Sequence, residues 1–273
     1  MQYSLEIKKF NYSMNKETIF SSLNLKLQRG TINYIINDIA SSHILFQALL
    51  NLTDSNIKAY LFNNPIENSL EEIGYYNPNY SIYNNLTIKD FINLSNAYYE
   101  NDYIDNALSL VSKFNLDLNK QIKDLSKEEY ELVKLVDILY HEPSLVMLES
   151  PDLYLNQDNQ NILNDYLISL KDKGKTILIS STKLSLYSHT TNIYMFYLKK
   201  LMSLNELKIK KYIIKTKDEI NTLKLKLLET NKDADLTQLT YIGNLLPVLD
   251  EFNKRKISFE DIIVGEVLWN YLI

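Results

Sequence analysis

The chain has 273 residues, 45% of them hydrophobic, enough for one large domain with a small appendage. It contains no cysteine, which excludes disulfides, thiolate metal sites and cysteine nucleophiles. The formal net charge of -5 gives no overall attraction to nucleic acid, so we expect no nucleic-acid partner. No stretch resembles a signal peptide or approaches the roughly 18 apolar residues of a membrane span, so any membrane association is expected to go through a partner.

The first part of the chain predicts three strands. Ser4 to Asn11 and Leu23 to Leu27 alternate polar and apolar residues, and a polar turn around Asn15-Lys16 joins them, which indicates an antiparallel pair. Thr31 to Ile36 is apolar on both faces, typical of a parallel strand that helices cover on both sides. We therefore expect this third strand at the centre of a sheet.

The loop predicted after that strand, residues 37–43, is unusual for its composition. It should lead into an apolar helix predicted over residues 44–52, an arrangement in which glycines and a lysine commonly hold a phosphate. The loop contains neither, and no Lys or Arg occurs between Arg29 and Lys58. A plain strand-to-helix turn, with Asp38 or Ser41 as the helix cap, explains the segment equally well.

Three helices are predicted next. Thr87 to Asp90 has the pattern of a capping box, and the helix after it places on one face Phe91, Leu94, Ala97 and Tyr98. A second helix is predicted over about Asp105 to Phe114. Ser126 to Glu129 is again a capping box, which starts a third helix that Pro143 stops.

Strands and helices then alternate, which indicates a mostly parallel α/β sheet. The predicted elements are a strand at Leu145–Leu148, a helix at Gln160–Leu170 and a strand at Thr176–Ser180. We expect a domain boundary near Leu204, with a small α/β domain after it. Its predicted strands are Ile209–Ile214 and Leu239–Ile242, and its predicted helices are Asp218–Leu228, Leu245–Phe252 and Phe259–Tyr271.

Taken together, a collinear set of segments resembles the exporter-type ATP-binding subunit of an ABC transporter. The segments are Gly30, Ala48–Leu52, Ile73–Tyr75, Tyr83–Thr87, Leu125–Ser126, His141–Pro143, Leu145–Pro151, Gly174–Ser181 and Ile257–Ile262. The resemblance implies an α/β P-loop NTPase (RecA-like) fold with a mostly parallel sheet, an antiparallel β subdomain and a helical subdomain at about residues 76–140. It implies a nucleotide-binding-like domain at 1–203 and a small C-terminal α/β accessory domain at 204–273.

The departures from the family pattern fall on the positions that hold the phosphates. Where the family has a glycine-rich loop and a lysine, this chain has Ser41, Ser42 and His43, and Asp38 adds a negative charge. Losing two or three charge-assisted bonds of about 1.5–3 kcal/mol each weakens ATP binding by a factor on the order of a thousand or more. We expect no tightly bound cofactor, and only weak binding of ATP and magnesium through this vestigial site.

The resemblance also assigns positions for the metal and the base. Glu149 stands where the family has its magnesium ligand, although a polar residue at a strand end is the simpler interpretation. Ser150 replaces the glutamate that positions water, and loss of such a base typically costs 10²–10⁴ in rate, so we expect no catalytic residue. Tyr12 matches the aromatic residue that stacks on adenine, or is simply packed at the end of a strand.

The remaining motifs are altered as well. The signature segment contains Ser126, which in the family contacts ATP on the opposite subunit, followed by Lys127, Glu128 and Glu129; helix capping alone also explains Ser126 and Glu129. Thr182 stands at the position of the family's switch histidine, and Pro78 stands at the position of its glutamine-loop residue. Asn156 stands at the position of the aspartate that follows the metal-binding strand. His189 lies too far along the chain to act as the switch residue.

These features together imply a catalytically degenerate ATP-binding subunit, a pseudo-ATPase. It would pair with an active ATPase subunit as a heterodimer and dock on the transmembrane subunits of an exporter, on the cytoplasmic face of the membrane. The helical subdomain would make that contact through Tyr80, Ile82 and Tyr83. Two alternatives are a weakly active ATPase, whose composite site combines Glu149, Ser126 and a partner's lysine, and a stand-alone immunity or assembly protein.

Overall fold

The structure, a computed structural model, describes residues 3–36, 38–99, 101–181, 190–203, 210–216, 229–233, 236–243 and 261–265. The chain divides into two compact units, Met1–Met202 and Ser203–Ile273. In the described residues up to Ser203, the strands are β1 (Tyr3–Met14), β2 (Glu17–Gln28), β3 (Ile32–Ile36), β4 (Ala59–Leu61), β5 (Asn64–Pro65), β6 (Ile73–Tyr76), β7 (Leu145–Glu149), β8 (Thr176–Ser181), β9 (Asn192–Tyr197) and β10 (Lys200–Ser203). The helices are α1 (Ile39–Leu49), α2 (Ile88–Asn96), α3 (Ile104–Lys113), α4 (Lys127–Leu139) and α5 (Gln157–Asp172).

The predicted hairpin at the start of the chain is confirmed. Strands β1 and β2 pair antiparallel, and the turn residues Asn15 and Lys16 have φ values of 51° and 67°. Positive φ at both central residues is the geometry of a tight hairpin turn whose twist matches that of the flanking strands. With β4 and β5, the hairpin forms a four-stranded sheet in the order β2-β1-β4-β5.

The central sheet has six strands in the order β10-β9-β3-β8-β7-β6. Strand β3 is buried along its whole length and pairs parallel with both β8 and β9, which confirms its predicted central position. Strand β7 pairs parallel with β8 on one side and β6 on the other. The sheet is therefore mostly parallel, as the alternation of strands and helices predicts.

Helix α1 belongs to the core that joins the two sheets of the first unit. Its buried residues Leu45, Phe46 and Leu49 share one apolar cluster with residues of β1 and β2 and with Ile35 and Met147 of the central sheet. Because α1 begins right after β3, this packing fixes the turn between them, which is the predicted phosphate-loop position.

The helical subdomain is confirmed in its helices but not in every detail. The Ser126 capping box has both of its reciprocal hydrogen bonds. At Thr87 the side chain caps α2, but the Asp90 carboxylate accepts from the Thr87 hydroxyl, so the second half of the box is absent. No helix in the described part of the chain is both long and apolar enough to cross a bilayer.

The predicted apolar face of α2 is partly wrong. Its buried residues are Ile88, Phe91 and Ile92, whereas Leu94 and Tyr98 are 43% and 83% exposed. The buried stripe follows the i, i+3, i+4 spacing from Ile88, and α2 ends at Asn96, so Tyr98 lies beyond the helix.

Unit Ser203–Ile273 contains an antiparallel sheet in the order β12-β13-β11-β14, formed by β11 (Lys210–Thr216), β12 (Glu229–Asp233), β13 (Leu236–Gly243) and β14 (Asp261–Gly265). Strands β11 and β13 confirm the two predicted strands. The predicted helix at 259–271 is wrong at Asp261–Gly265, where the β-branched run Ile262, Ile263 and Val264 favours a strand paired with β11. The predicted helices at 218–228 and 245–252 lie outside the described residues.

Gly74 of β6 allows α4 to approach the sheet closely. A Cβ at this position would lie 2.6 Å from Pro143 Cγ and 2.9 Å from the Ile138 carbonyl oxygen. The Gly74→Ala variant is expected to lose about 1–3 kcal/mol of unfolding free energy, because backbone of the next layer must move to admit the methyl group. Urea unfolding measures this loss, and a variant as stable as the wild type would contradict the packing of α4 on β6.

Candidate functional site

The turn between β3 and α1 is the first part of the candidate site. Helix α1 begins at Ile39 instead of at the predicted Ile44, so most of the predicted loop 37–43 is helical. The Asp38 carboxylate caps the helix, accepting from the Ser41 backbone N–H at 2.8 Å and from the Ser41 hydroxyl at 2.6 Å. Asp38 thus places its own negative charge at the helix N-terminus, where the family binds phosphate.

The serines of this segment use their hydroxyls inside the protein. The Ser42 hydroxyl donates to the Asp38 carbonyl oxygen at 2.7 Å, and Ser42 is fully buried. The hydroxyl of Ser41 is already bonded to the Asp38 carboxylate. Asp38 therefore accepts from the hydroxyls of both serines of the predicted phosphate site.

The carboxylate of Glu149, at the end of β7, is the centre of the second part of the site. Its oxygens both lie 3.0 Å from His43 Nδ1, and the Tyr75 hydroxyl donates to Oε1. The Asn77 amide nitrogen lies 3.4 Å from Oε2, 3.1 Å from His43 Nδ1 and 3.1 Å from the Tyr75 hydroxyl oxygen. We call these four residues the Glu149 cluster.

The Glu149 cluster is largely closed to solvent. The Glu149 side chain is 4% exposed, whereas that of His43 is 34% exposed. Burial raises the pKa of Glu149, and the hydrogen bond from Tyr75 and the nearby His43 oppose part of that shift. Burial also raises the pKa of Tyr75, so this phenol remains a hydrogen-bond donor to the carboxylate.

The donor set of this site does not suit magnesium. Mg²⁺ requires near-octahedral oxygen ligands. Glu149 is the single carboxylate of the cluster, and its two oxygens already accept from neighbouring side chains. Within the described residues, no group of three or more acidic or histidine side chains is arranged to hold a metal ion.

Tyr12 lies in an aromatic cluster at the end of the β1–β2 hairpin. Its ring centroid is 6.1 Å from that of Phe10 and 6.5 Å from that of Phe20, and Phe20 in turn stacks on Phe196 at 5.5 Å. Packing between aromatic rings is enough to account for Tyr12 at this position.

The signature segment is fully engaged in contacts within the chain. Glu129 accepts from the Ser126 backbone N–H and from Lys120. Glu128 accepts from the Asn156 backbone N–H at 2.7 Å and from the Asn159 side chain. Lys127 pairs with Glu131 at 2.6 Å and lies 4.4 Å from the centre of the Tyr154 ring.

The other predicted positions have structural contacts as well. Asn156 caps α5 through the Asn159 N–H, and the carbonyl of Pro78 accepts from Lys134. Thr182 and His189 lie outside the described residues. Of the three residues predicted to meet a membrane partner, Tyr83 is 72% exposed, Tyr80 is partly exposed and lies against Lys134, and Ile82 is buried, so the predicted surface is wrong for Ile82.

Sequence reasoning missed Tyr75 and Asn77 as members of the site. They flank Tyr76 at the end of β6, while His43 lies on α1 and Glu149 on β7. The sequence did contain a signal for these two residues. The carboxyl ends of neighbouring parallel strands meet at one edge of a sheet, and β6 and β7 are parallel neighbours, so residues just after β6 lie close to Glu149 at the end of β7.

The Glu149→Gln variant tests the electrostatics of this cluster. Because folding raises the pKa of Glu149 above its ordinary value of 4.5, the ionised carboxyl lowers stability as pH rises through the folded pKa. The wild type is therefore expected to lose stability relative to Glu149→Gln as pH rises from the ordinary carboxyl pKa of 4.5 through the raised pKa of the folded state, measured by urea unfolding. The exposed Glu67→Gln is the control; equal pH profiles for the two variants would contradict the burial of Glu149.

No protein-family model matches the chain. In sequence it is 26% identical over 143 residues to the ABC transporter ATP-binding protein YhaQ of Bacillus subtilis (strain 168), covering 50% of this chain and 47% of that protein. It is 29% identical over 120 residues to the zinc import ATP-binding protein ZnuC of Wigglesworthia glossinidia brevipalpis, covering 44% and 48%. The chain thus spans less than half the length of these relatives.

Solved structures give the fold. An ATP-binding subunit of an ABC transporter superposes with a TM-score of 0.67 at 17% identity, covering 75% of this chain and 91% of the other. The cbiO1 protein of Clostridium perfringens superposes with a TM-score of 0.61 at 16% identity, covering 74% and 88%. The chain is therefore a homologue of ABC transporter ATP-binding proteins and has the fold of their ATPase domains.

Proposed function

We propose that this chain is a catalytically inactive ATP-binding subunit of an ABC transporter, whose role is to pair with an active ATPase subunit. The observation that carries the proposal is the Glu149 cluster. The carboxylate at the metal position is buried and already bonded to His43 and Tyr75. Binding of Mg-ATP there would require those hydrogen bonds to break and the Asp38 charge to face a polyphosphate.

The residues at the phosphate and metal positions are altered while the core of the domain is retained, and this combination favours a structural role for the chain. The apolar core around β3 and α1 is complete, and α4 keeps its capping box. The retained core supports a role for the folded domain itself, and the Asp38 cap and the bonded Glu149 carboxylate support weak or absent triphosphate binding. Such a subunit would contribute its surface to an assembly in which the partner hydrolyses ATP.

The proposed partners follow from the relatives. The structure of cbiO1 is described as part of the ABC transporter complex cbiONQ, so an ATP-binding protein of this fold works there within a larger complex. We propose that this chain docks in the same way on transmembrane subunits of an exporter, and so resides on the cytoplasmic face of the membrane. The exposed Tyr83 of the segment before α2 is a candidate contact residue.

Reconstitution tests the proposal. The full chain is co-expressed with a transporter's intact ATPase subunit and its membrane subunits, and co-purification and ATP hydrolysis are measured. We expect a stable complex whose activity is unchanged by Glu149→Gln in this chain and lost when the phosphate-loop lysine of the partner is replaced. Hydrolysis by this chain alone, or loss of activity on Glu149→Gln, would instead favour the weakly active ATPase. Absence of any complex with membrane subunits would favour the stand-alone interaction protein.

A further inference from the structure

A buried charge pair joins helix α4 to the end of β6. Lys134 and Glu131 of α4 are both fully buried, and the Lys134 ammonium lies 2.7 Å from Glu131 Oε2. The Tyr76 hydroxyl, at the end of β6, donates to the same carboxylate oxygen at 2.7 Å. A buried charge is costly unless it is paired and hydrogen-bonded, so breaking any of these contacts would leave a buried charge uncompensated.

Lys134 of this pair also contacts the segment that follows β6. Lys134 donates to the Pro78 carbonyl oxygen at 3.0 Å, and its ammonium lies 4.8 Å from the centre of the Tyr80 ring. Four residues after Pro78, the Ile82 backbone N–H donates to the Tyr130 hydroxyl of α4 at 2.9 Å. Residues 76–82 are therefore attached to α4 at both ends and at the middle.

The first turn of α4 is attached to the segment after β7. Glu128 accepts from the N–H of Asn156, and Lys127 lies over the Tyr154 ring. Helix α4 thus contacts the chain where it leaves each of two neighbouring strands of the central sheet. A rotation of α4 relative to the sheet would have to break both sets of contacts.

We infer that Tyr76, Tyr130, Glu131 and Lys134 form a clasp that holds α4 rigidly against the end of β6 and the segment after it, and so fixes the helices packed on α4 relative to the central sheet. The clasp and the Glu149 cluster share one segment, since Tyr75 and Asn77 bond to Glu149 while Tyr76 and Pro78 bond to α4. The segment is thereby fixed on both sides by side chains of this chain. The inference rests on these contacts and does not depend on the loss of ATP hydrolysis.

Hydrogen exchange at the Ile82 amide tests one bond of the clasp. Tyr130→Phe removes the acceptor of that N–H and keeps the ring, so the full-length variant should remain folded. We expect the Ile82 amide to exchange about tenfold faster than in the wild type, and to be unchanged in the matched control Tyr98→Phe, whose ring is exposed. Equal exchange of Ile82 in the wild type and in Tyr130→Phe would overturn the clasp.

A distance measurement tests rigidity directly. The chain has no cysteine, so spin labels can be placed uniquely through Lys89→Cys on α2 and Asn161→Cys on α5, both exposed. We expect one narrow distribution of distances between the labels, and a broader one when Lys134→Met is added; if that variant does not fold, Tyr130→Phe takes its place. A broad distribution in the labelled wild-type background, or one that neither substitution changes, would overturn the inference.

Discussion

Replacing Lys134 by alanine is expected to lower the free energy of unfolding by about 3–5 kcal/mol. The ammonium group is fully buried and compensates the Glu131 carboxylate, which is fully buried as well. Burial lowers the pKa of Lys134 and the hydrogen bond to Glu131 opposes that shift, so the two groups depend on each other for their charged states. Chemical denaturation of the full chain at neutral pH measures the loss.

Lys127 provides the matched control for that experiment. It pairs with the other oxygen of Glu131 at 2.6 Å, but its own side chain is 53% exposed. Water screens such a pair, so Lys127→Ala is expected to lose no more than about 1 kcal/mol. If Lys134→Ala and Lys127→Ala had equal effects, the buried position of Lys134 would be in doubt.

The local patterns of the sequence predict much of this fold. The alternation in Ser4–Asn11 and the turn at Asn15 give the first hairpin, and the two-sided apolar strand at Ile32–Ile36 is central to the sheet. The capping box at Ser126 starts α4 where it was predicted. These features succeed because each depends on residues within a few positions of one another.

The predictions from sequence are wrong where a single capping side chain moves the start of a helix, or where pairing between strands overrides the apolar spacing of a segment. The start of α1 was predicted five residues late because the loop was aligned to a phosphate-binding pattern, whereas Asp38 caps the helix at once. Asp261–Gly265 was predicted as helix from its apolar spacing, yet its β-branched residues pair with β11. The secondary structure of such short segments depends both on the strand preference of their residues and on pairing with a neighbouring strand.

The candidate site was predictable only in part. Its altered positions, Glu149 and His43, stand out in the sequence because the family pattern marks them. The bond between them joins residues 106 positions apart, and Tyr75 and Asn77 complete it from a third strand end. Contacts of this kind depend on how the sheet edge assembles, and no local pattern encodes them.

The second large effect expected is on nucleotide affinity. We expect Mg-ATP to bind this chain about a thousandfold more weakly than an ATP-binding subunit with an intact phosphate loop, because two or three charge-assisted bonds are missing. Arg29 and Lys58 are the nearest arginine and lysine along the chain on either side of the altered turn, and Asp38 repels the phosphates. Asp38→Asn is the informative variant: it keeps a capping side chain, removes the charge and is expected to improve the weak affinity.

Calorimetric titration of the isolated chain with Mg-ATP, with an intact ATP-binding subunit titrated in parallel, measures whether this chain holds a triphosphate. We expect no saturable binding of Mg-ATP at concentrations that fully saturate the intact subunit. Saturable binding within tenfold of the affinity of the intact subunit would contradict this expectation, since the Glu149 cluster and the Asp38 cap would then have to open for a triphosphate.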